Sequence, residues 1–460
     1  MFVKKSGIRR LFFVPFFLLL LAFLVTWMRP QTAAPVHGQT LDTAAVAHWL
    51  RQSALPLRTT DPGSADSDLA PLKQAVGKAS IVGLGEATHG THEFLTMKTR
   101  LAELLMGKLG YTTFVMENDW GSSQLIDAYI NGQTADLSSV MARGLFESWQ
   151  TQEFRALLEW MRAYNADSAH TSKIHFLGMD FQDLSRDEFT AVERYLRQVD
   201  PGQVAHLREL YAPVQAMSEA ATSDTFTPLD ASDQQRYQDQ AQQVYDLLLA
   251  NQQAYLKRSS ARSFAFALQN ARIITQFATY SNAQTEAESL SRYYQRDTFM
   301  AENVAWIHDH AAGSQPKMLV WAHDMHIAND TRYGSQDGKN LGGELRARYQ
   351  KDYFAIGTTL YRGTFRSYSY PSSTIQTITP PAPHSYNAAL GQVGLPLYML
   401  DLDRLPPGPL KDWAHQPAML INYGLGGEDL STSQRLSQSF DIIIHIQNPT
   451  PSRPLQTREA

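Results

Sequence analysis

The segment IVGLGEATHGTHEF, residues 81–94, runs from a strand-like stretch into a helix and places three ionisable side chains at the junction. Ile81-Val82-Gly83-Leu84 is continuously apolar, as a strand covered on both faces should be, and it stops at Gly85. Glu86, His89 and His92 follow within seven residues. Burying such groups costs several kcal/mol unless they are partnered, so the segment implies either dedicated partners or a reaction.

Downstream, HEFLTMKTRLAELLMGKLG (92–110) repeats Phe94, Met97, Leu101, Leu104 and Leu105 at helical spacing and ends on Gly110, a natural stop. Five more runs share the strand character of ASIVGLGE (79–86): TTFVMEND (112–119), KIHFLGMD (173–180), KMLVWAHD (317–324), YFAIGTTL (353–360) and FDIIIHI (440–446). Strand, helix, strand with short connections makes parallel neighbours. The predicted fold is α/β, a mainly parallel central sheet flanked by helices. From about 184 to 312 the sequence holds only long helical stretches rich in Gln, Ala and Tyr, which predicts a large helical insertion forming one wall of a cleft. Pro and Ser clusters at 370–385 read as a loop, and NPTPSRPLQTREA (448–460) as a frayed tail, flexible over 451–460. One functional domain is expected over 39–450.

Lys4, Lys5, Arg9 and Arg10 precede the uncharged apolar run LFFVPFFLLLLAFLVTWM, so residues 1–38 are read as a signal peptide or a retained signal anchor. The rest of the chain is expected outside the cytoplasmic membrane, secreted or anchored at its outer face. Contact with the membrane is expected only through that segment. A formal net charge of -5 with 18% charged residues gives no basic excess for nucleic acid, and points to a small-molecule partner. The chain has no cysteine, which excludes thiol nucleophiles, disulfides and zinc fingers.

In a parallel sheet ligands bind beyond the carboxyl ends of the strands. Those ends carry Glu86 and His89, then Glu117 and Asp119, then Asp180, then His323 and His326. There is no G-x-S-x-G elbow; WGSSQ (120–124) and YGSQDG (333–338) follow no convincing strand. What remains is a histidine, oriented by a carboxylate, taking a proton from water that attacks a carbonyl, with a second group meeting the oxyanion. Glu86 is placed to orient His89, and His323 or His326 to donate. The same side chains could hold a metal, although the two imidazoles of HDMH (323–326) are a weak ligand signal. In SRYYQRDTFMAEN (291–303), Tyr293, Tyr294, Phe299 and Met300 crowd beside Arg296, which is read as reaching the strand-end carboxylates.

GLGEATHGTHEF, FVMENDW, FLGMDF, RDTFMAEN and VWAHDMHI, in this order, resemble the erythromycin esterase family, whose members hydrolyse macrolide lactones. The resemblance covers roughly residues 45–447. It implies an α/β core with a helical part along a deep cleft, His89 as general base with Glu86 beside it, and roles for Glu117, His323 and His326. Lys98 stands where some members carry Arg, and Asp324 where some carry Asn. The reading is a carboxylic ester hydrolase, macrolide lactones being one candidate substrate. Catalysis is assigned to His89, Glu86, His323, His326 and Glu117, and substrate binding to Lys98, Asp119, Asp180 and Arg296. No cofactor or metal is expected. A metal-dependent hydrolase or peptidase, and a non-catalytic envelope protein that binds a ligand or assists polysaccharide assembly, are the alternatives.

Overall fold

Eight strands form the central sheet of the computed structural model, which describes residues 43–221, 230–280, 286–310, 316–330, 339–369 and 372–455. The amino-terminal basic and apolar segment lies outside these residues. In chain order the strands are β1 (Leu55–Pro56), β2 (Ile81–Glu86), β3 (Thr113–Asp119), β4 (His175–Asp180), β5 (Met318–His323), β6 (Tyr353–Leu360), a hairpin of β7 (Gly363–Ser369) and β8 (Ser372–Ile378), β9 (Leu397–Asp401), a small pair of β10 (Ala418–Leu420) and β11 (Thr432–Gln434), and β12 (Ile442–Ile446). Across the main sheet the order is β1-β9-β12-β6-β2-β5-β3-β4. The six strands expected from the sequence are neighbours and all parallel, and only β9 runs against them.

Continuous apolarity is explained by burial on both faces. Ile81, Val115, Met318, Val320 and Tyr353 face one core, packed against the helices between β4 and β5. Their neighbours Val82, Phe114, Leu319, Trp321 and Phe354 face a second core under the helix His92–Leu109 and the helix Gln152–Ala166. Each strand thus divides its side chains between two apolar layers. The helix after β2 ends as its sequence demands: Gly110 takes φ +76° and its N–H bonds the carbonyl of Leu105.

Between β4 and β5 the described residues form helices without a strand, from Arg186–Val199 to the long helix Glu286–His310. Two expectations are corrected. Within the supposed loop at 370–385, Ser372–Ile378 is a strand paired antiparallel with Gly363–Ser369; its Ser, Thr and Gln residues are largely exposed, so no apolar face announced it. The tail is docked as far as Leu455. Pro451 bridges to Thr91 and Pro454 to Thr151, while the Ser452 N–H bonds the Gly90 carbonyl. Backbone bonds to a turn and a helix start hold a proline-rich segment that has no periodicity of its own. No described helix is long and apolar enough to cross a membrane.

Candidate active site

The parallel register sets the carboxyl ends of the strands side by side. Glu86, the last residue of β2, is the register partner of His323, the last residue of β5. Glu117 of β3 lies on the other side of β5 and accepts the backbone N–H of His323 on Oε2 at 3.0 Å. Gly85 permits this close packing, since a Cβ there would lie 2.0 Å from Asp324 Oδ1.

His89 stands just past β2. Its Nδ1 is 3.0 Å from Glu86 Oε1, and its ring meets Trp149 edge-on at 5.1 Å and the ring of His323 at 5.1 Å. The other oxygen of Glu86 binds the Lys98 ammonium, which is buried over the Trp321 ring at 4.0 Å. Lys98 thus comes from the helix after β2 to hold Glu86, and is not presented to a substrate. Burial lowers the Lys98 pKa well below its ordinary value. His89 has the most exposed side chain of the set, 14% against 9% for Glu117 and 0% for Glu86. Burial also lowers its pKa, to about 4, so the imidazole is neutral at physiological pH. With Glu86 accepting the Nδ1 proton, Nε2 is the basic nitrogen.

Around Glu117 lies a second, buried network of ion pairs, to which the helix Glu286–His310 contributes Arg296 and Asp297. Arg296 donates to Glu117 Oε1 at 3.0 Å and clasps Asp180, its Nη2 2.6 Å from Oδ2 and its Nε 3.3 Å from Oδ1. His326 lies between two carboxylates, Nδ1 2.6 Å from Asp297 Oδ1 and Nε2 3.2 Å from Glu117 Oε1. Burial alone would lower the His326 pKa, but Asp297 and then Glu117 outweigh it and raise it to about 9. Burial would likewise raise Glu117, yet the His326 and Arg296 cations hold it well below the usual carboxylate range. Tyr293 stacks on the His326 ring at 5.4 Å.

His323 is committed to the backbone. Its Nδ1 accepts the Met325 N–H at 3.2 Å and its Nε2 is 3.2 Å from the Tyr423 carbonyl, which fixes a neutral tautomer protonated on Nε2. Asp180 and Arg296, named from the sequence as substrate-binding, are buried and satisfy each other. Asp119 stands apart from the cluster. Its Oδ2 caps the helix Trp120–Ile130 by accepting the Ser122 N–H at 2.8 Å, and its carboxyl is driven well above its ordinary pKa by burial and by the charge of Glu188. A break in the β3–β4 register between Met116 and Asp119 allows Glu117 and Asp119 to serve different places, although strand alternation would put both on one face. His92 turns to Glu153 at 2.6 Å. Asp324 adds no charge at neutral pH: burial raises its pKa to about 8, against hydrogen bonds from Thr358.

Sequence reasoning missed Asp297, Trp149 and Tyr423. Asp297 is legible in the sequence only as the neighbour of Arg296, an arrangement that equally suits a surface ion pair, and the other two act through a ring edge and a carbonyl, which have no motif.

The ligand atoms of Glu86, His89 and Glu117 lie within 4.8 Å of one another, close enough for a metal ion. Both carboxylates already bind cations, Lys98 on Glu86 and Arg296 with protonated His326 on Glu117. A divalent ion would have to displace or repel them, which makes the set a poor metal site.

The pattern of the erythromycin esterase family matches residues 106–448. A putative hydrolase of Bacillus subtilis, YbfO, is 22% identical over 419 residues, 88% of this chain and 91% of the relative. The type II erythromycin esterase of Escherichia coli is 24% identical over 333 residues, 68% of this chain and 77% of that one. A crystal structure of a Bacillus cereus protein is 31% identical, with a TM-score of 0.80 over 90% of this chain and 100% of its own. With a family match over most of its length and a histidine–carboxylate centre at the strand ends, this chain is a hydrolase and belongs to the erythromycin esterase family.

Proposed function

We propose that the protein hydrolyses carboxylic esters, with His89 removing a proton from the attacking water. The observation that carries this reading is the 3.0 Å contact between His89 Nδ1 and Glu86 Oε1. It leaves Nε2 free to accept a proton and sets a carboxylate to stabilise the imidazolium that forms. Lys98 in turn fixes Glu86. In this reading the oxyanion is met by the cations of the neighbouring ion-pair network, His326 and Arg296, both bound to Glu117. Macrolide lactones are the candidate substrates suggested by the family and by the type II esterase of Escherichia coli. Purified protein is assayed on a macrolide and on aryl esters, with and without chelator. Replacing His89 with Ala lowers kcat by about 10²- to 10⁴-fold while the protein stays folded. Near wild-type kcat with an unchanged melting curve would remove His89 from the mechanism.

The same proposal places the reaction outside the cytoplasmic membrane, on the strength of Lys4, Lys5, Arg9 and Arg10 before an apolar run. Protease added to intact cells digests the domain if this is so, and protection alongside a digested external control refutes it.

A further inference from the structure

Residues 418–434 form a small antiparallel ribbon, β10 and β11 with the connection between them, whose Tyr423 meets the ends of β2 and β5. The Tyr423 N–H bonds the Ala87 carbonyl at 2.9 Å, and the Tyr423 carbonyl meets His323 Nε2. The preceding residue, Asn422, is fully buried, yet neither Oδ1 nor Nδ2 has a hydrogen-bond partner among the described residues. Glu428 Oε1, Ser431 Oγ and Gln434 Oε1 share that condition, so five such atoms fall within thirteen residues of one ribbon. Buried polar groups in native proteins are nearly always paired, and the Asn422 amide, wholly unpaired and adjacent in the chain to Tyr423, whose carbonyl meets His323, is the one of these beside the site, where a polar ligand can supply the missing partner.

The ribbon's pairing tells where the Asn422 side chain points. Tyr423 bridges Asp429, and the Leu430 N–H bonds the Asn422 carbonyl at 2.9 Å, so Asn422 and Leu430 are opposite each other and share a face. Leu430 packs against Tyr294 and Met325, beside Tyr293 and one residue from His326. The Tyr423 ring goes the other way, to Phe365 at 4.9 Å. The Asn422 amide therefore lies on the Leu430 face of the ribbon, the face that packs towards Tyr293, Tyr294 and Met325. Tyr293 and Leu430 on that face are only partly buried.

We propose that Asn422 is a specificity-determining residue whose carboxamide binds a hydroxyl group carried by the substrate beside the scissile ester. A hydroxyl both donates and accepts, which matches one unused donor and one unused acceptor. An oxyanion or a bare ester carbonyl would use only Nδ2. The inference rests on the ester-hydrolase reading for its substrate class, and its test separates the two.

The test uses matched pairs with and without a hydroxyl: 4-nitrophenyl 3-hydroxybutyrate against 4-nitrophenyl butyrate, and glyceryl monobutyrate against propyl butyrate. In the wild type, kcat/KM for at least one hydroxylated ester exceeds that of its partner by about 10- to 100-fold, since a site left with an unpaired buried amide rejects the deoxy analogue. Asn422→Leu brings the ratio near one and does not lower the melting temperature, because an apolar group of similar shape replaces an unpaired polar one. Asn422→Ala is the second variant, should Leu not fold. Calorimetric binding of the same esters to His89→Ala, with and without Asn422→Leu, reads recognition without turnover. If the wild type cleaves none of the esters but His89→Ala prefers the hydroxylated ones through Asn422, the esterase reading falls and this inference stands. Cleavage without preference, a preference that survives in Asn422→Leu, or neither cleavage nor binding overturns it; a buried water on the amide would give the first of these.

Discussion

The pH profile of kcat/KM tests the two histidines of the site together. His89 must be neutral to act as base, and burial sets its pKa at about 4. At pH 5.5 an imidazole with the ordinary pKa of about 6.5 would be roughly one-eleventh neutral, whereas His89 stays almost wholly neutral. Glu117 does not titrate in this window, being held well below the usual range by His326 and Arg296. The expected profile is flat from neutrality down to about pH 5, with a half-maximal point near 4. On the alkaline side His326, raised to about 9 by Asp297 and Glu117 against burial, loses its proton and leaves those two carboxylates facing each other. Activity should fall there. Asp297→Asn removes the carboxylate that does most to keep His326 protonated, so the alkaline limb moves towards neutrality while the acid limb stays. The assay is initial rate on an aryl ester from pH 4 to 10, with melting curves at each pH to separate unfolding from titration. An acid limb near 6.5 would show that His89 is solvated or is not the base, and an alkaline limb unmoved by Asp297→Asn would assign it to another group, Lys98 first.

Arg296→Ala leaves Asp180 as a buried carboxylate without its cation, while Glu117 keeps His326, and should cost about 3–5 kcal/mol in urea denaturation; a loss under 1 kcal/mol would show that water or other groups replace the guanidinium. Glu188→Gln should stabilise the protein at pH 8. The folded pKa of Glu188 is raised to about 7 by burial, so its protonated form favours folding below the unfolded value of about 4.5 and that contribution is lost as pH rises through 7. The variant's advantage should be on the order of 1–3 kcal/mol at pH 8 and vanish near pH 4, and a pH-independent difference in thermal unfolding would refute the account from burial of Glu188. Exhaustive chelation should leave kcat unchanged, because Lys98, Arg296 and His326 already occupy the carboxylates; loss of activity restored by one divalent ion would make the centre a metal site.

Much of the framework was legible because its causes are local. Short unbroken apolar runs at 81–84, 318–322 and 442–444, bounded by polar or turn residues, fit strands covered on both faces, and the 3.6-residue period after the first of them fits a helix buried along one face. The hairpin strand Ser372–Ile378 and the docked tail were hidden because their order comes from bonds to other segments. For the site, the sequence supplied the chemical inventory at the strand ends, and parallel register explains why Glu86 and His323 arrive together.

What each side chain does was decided only in three dimensions. Lys98, Asp180 and Arg296 look from the sequence like groups offered to a substrate, but burial makes an unpaired charge too costly, so they bind Glu86 and one another. Glu117 and Asp119, two residues apart on one strand, part company at a register break and end in opposite protonation tendencies. Asp324 carries a formal charge in the sequence and none at neutral pH once buried against Thr358. Residue type fixes which protonation states are available, while the choice among them depends on desolvation and on the charges a few ångströms away, which come from segments as distant as residues 86, 180, 296 and 423.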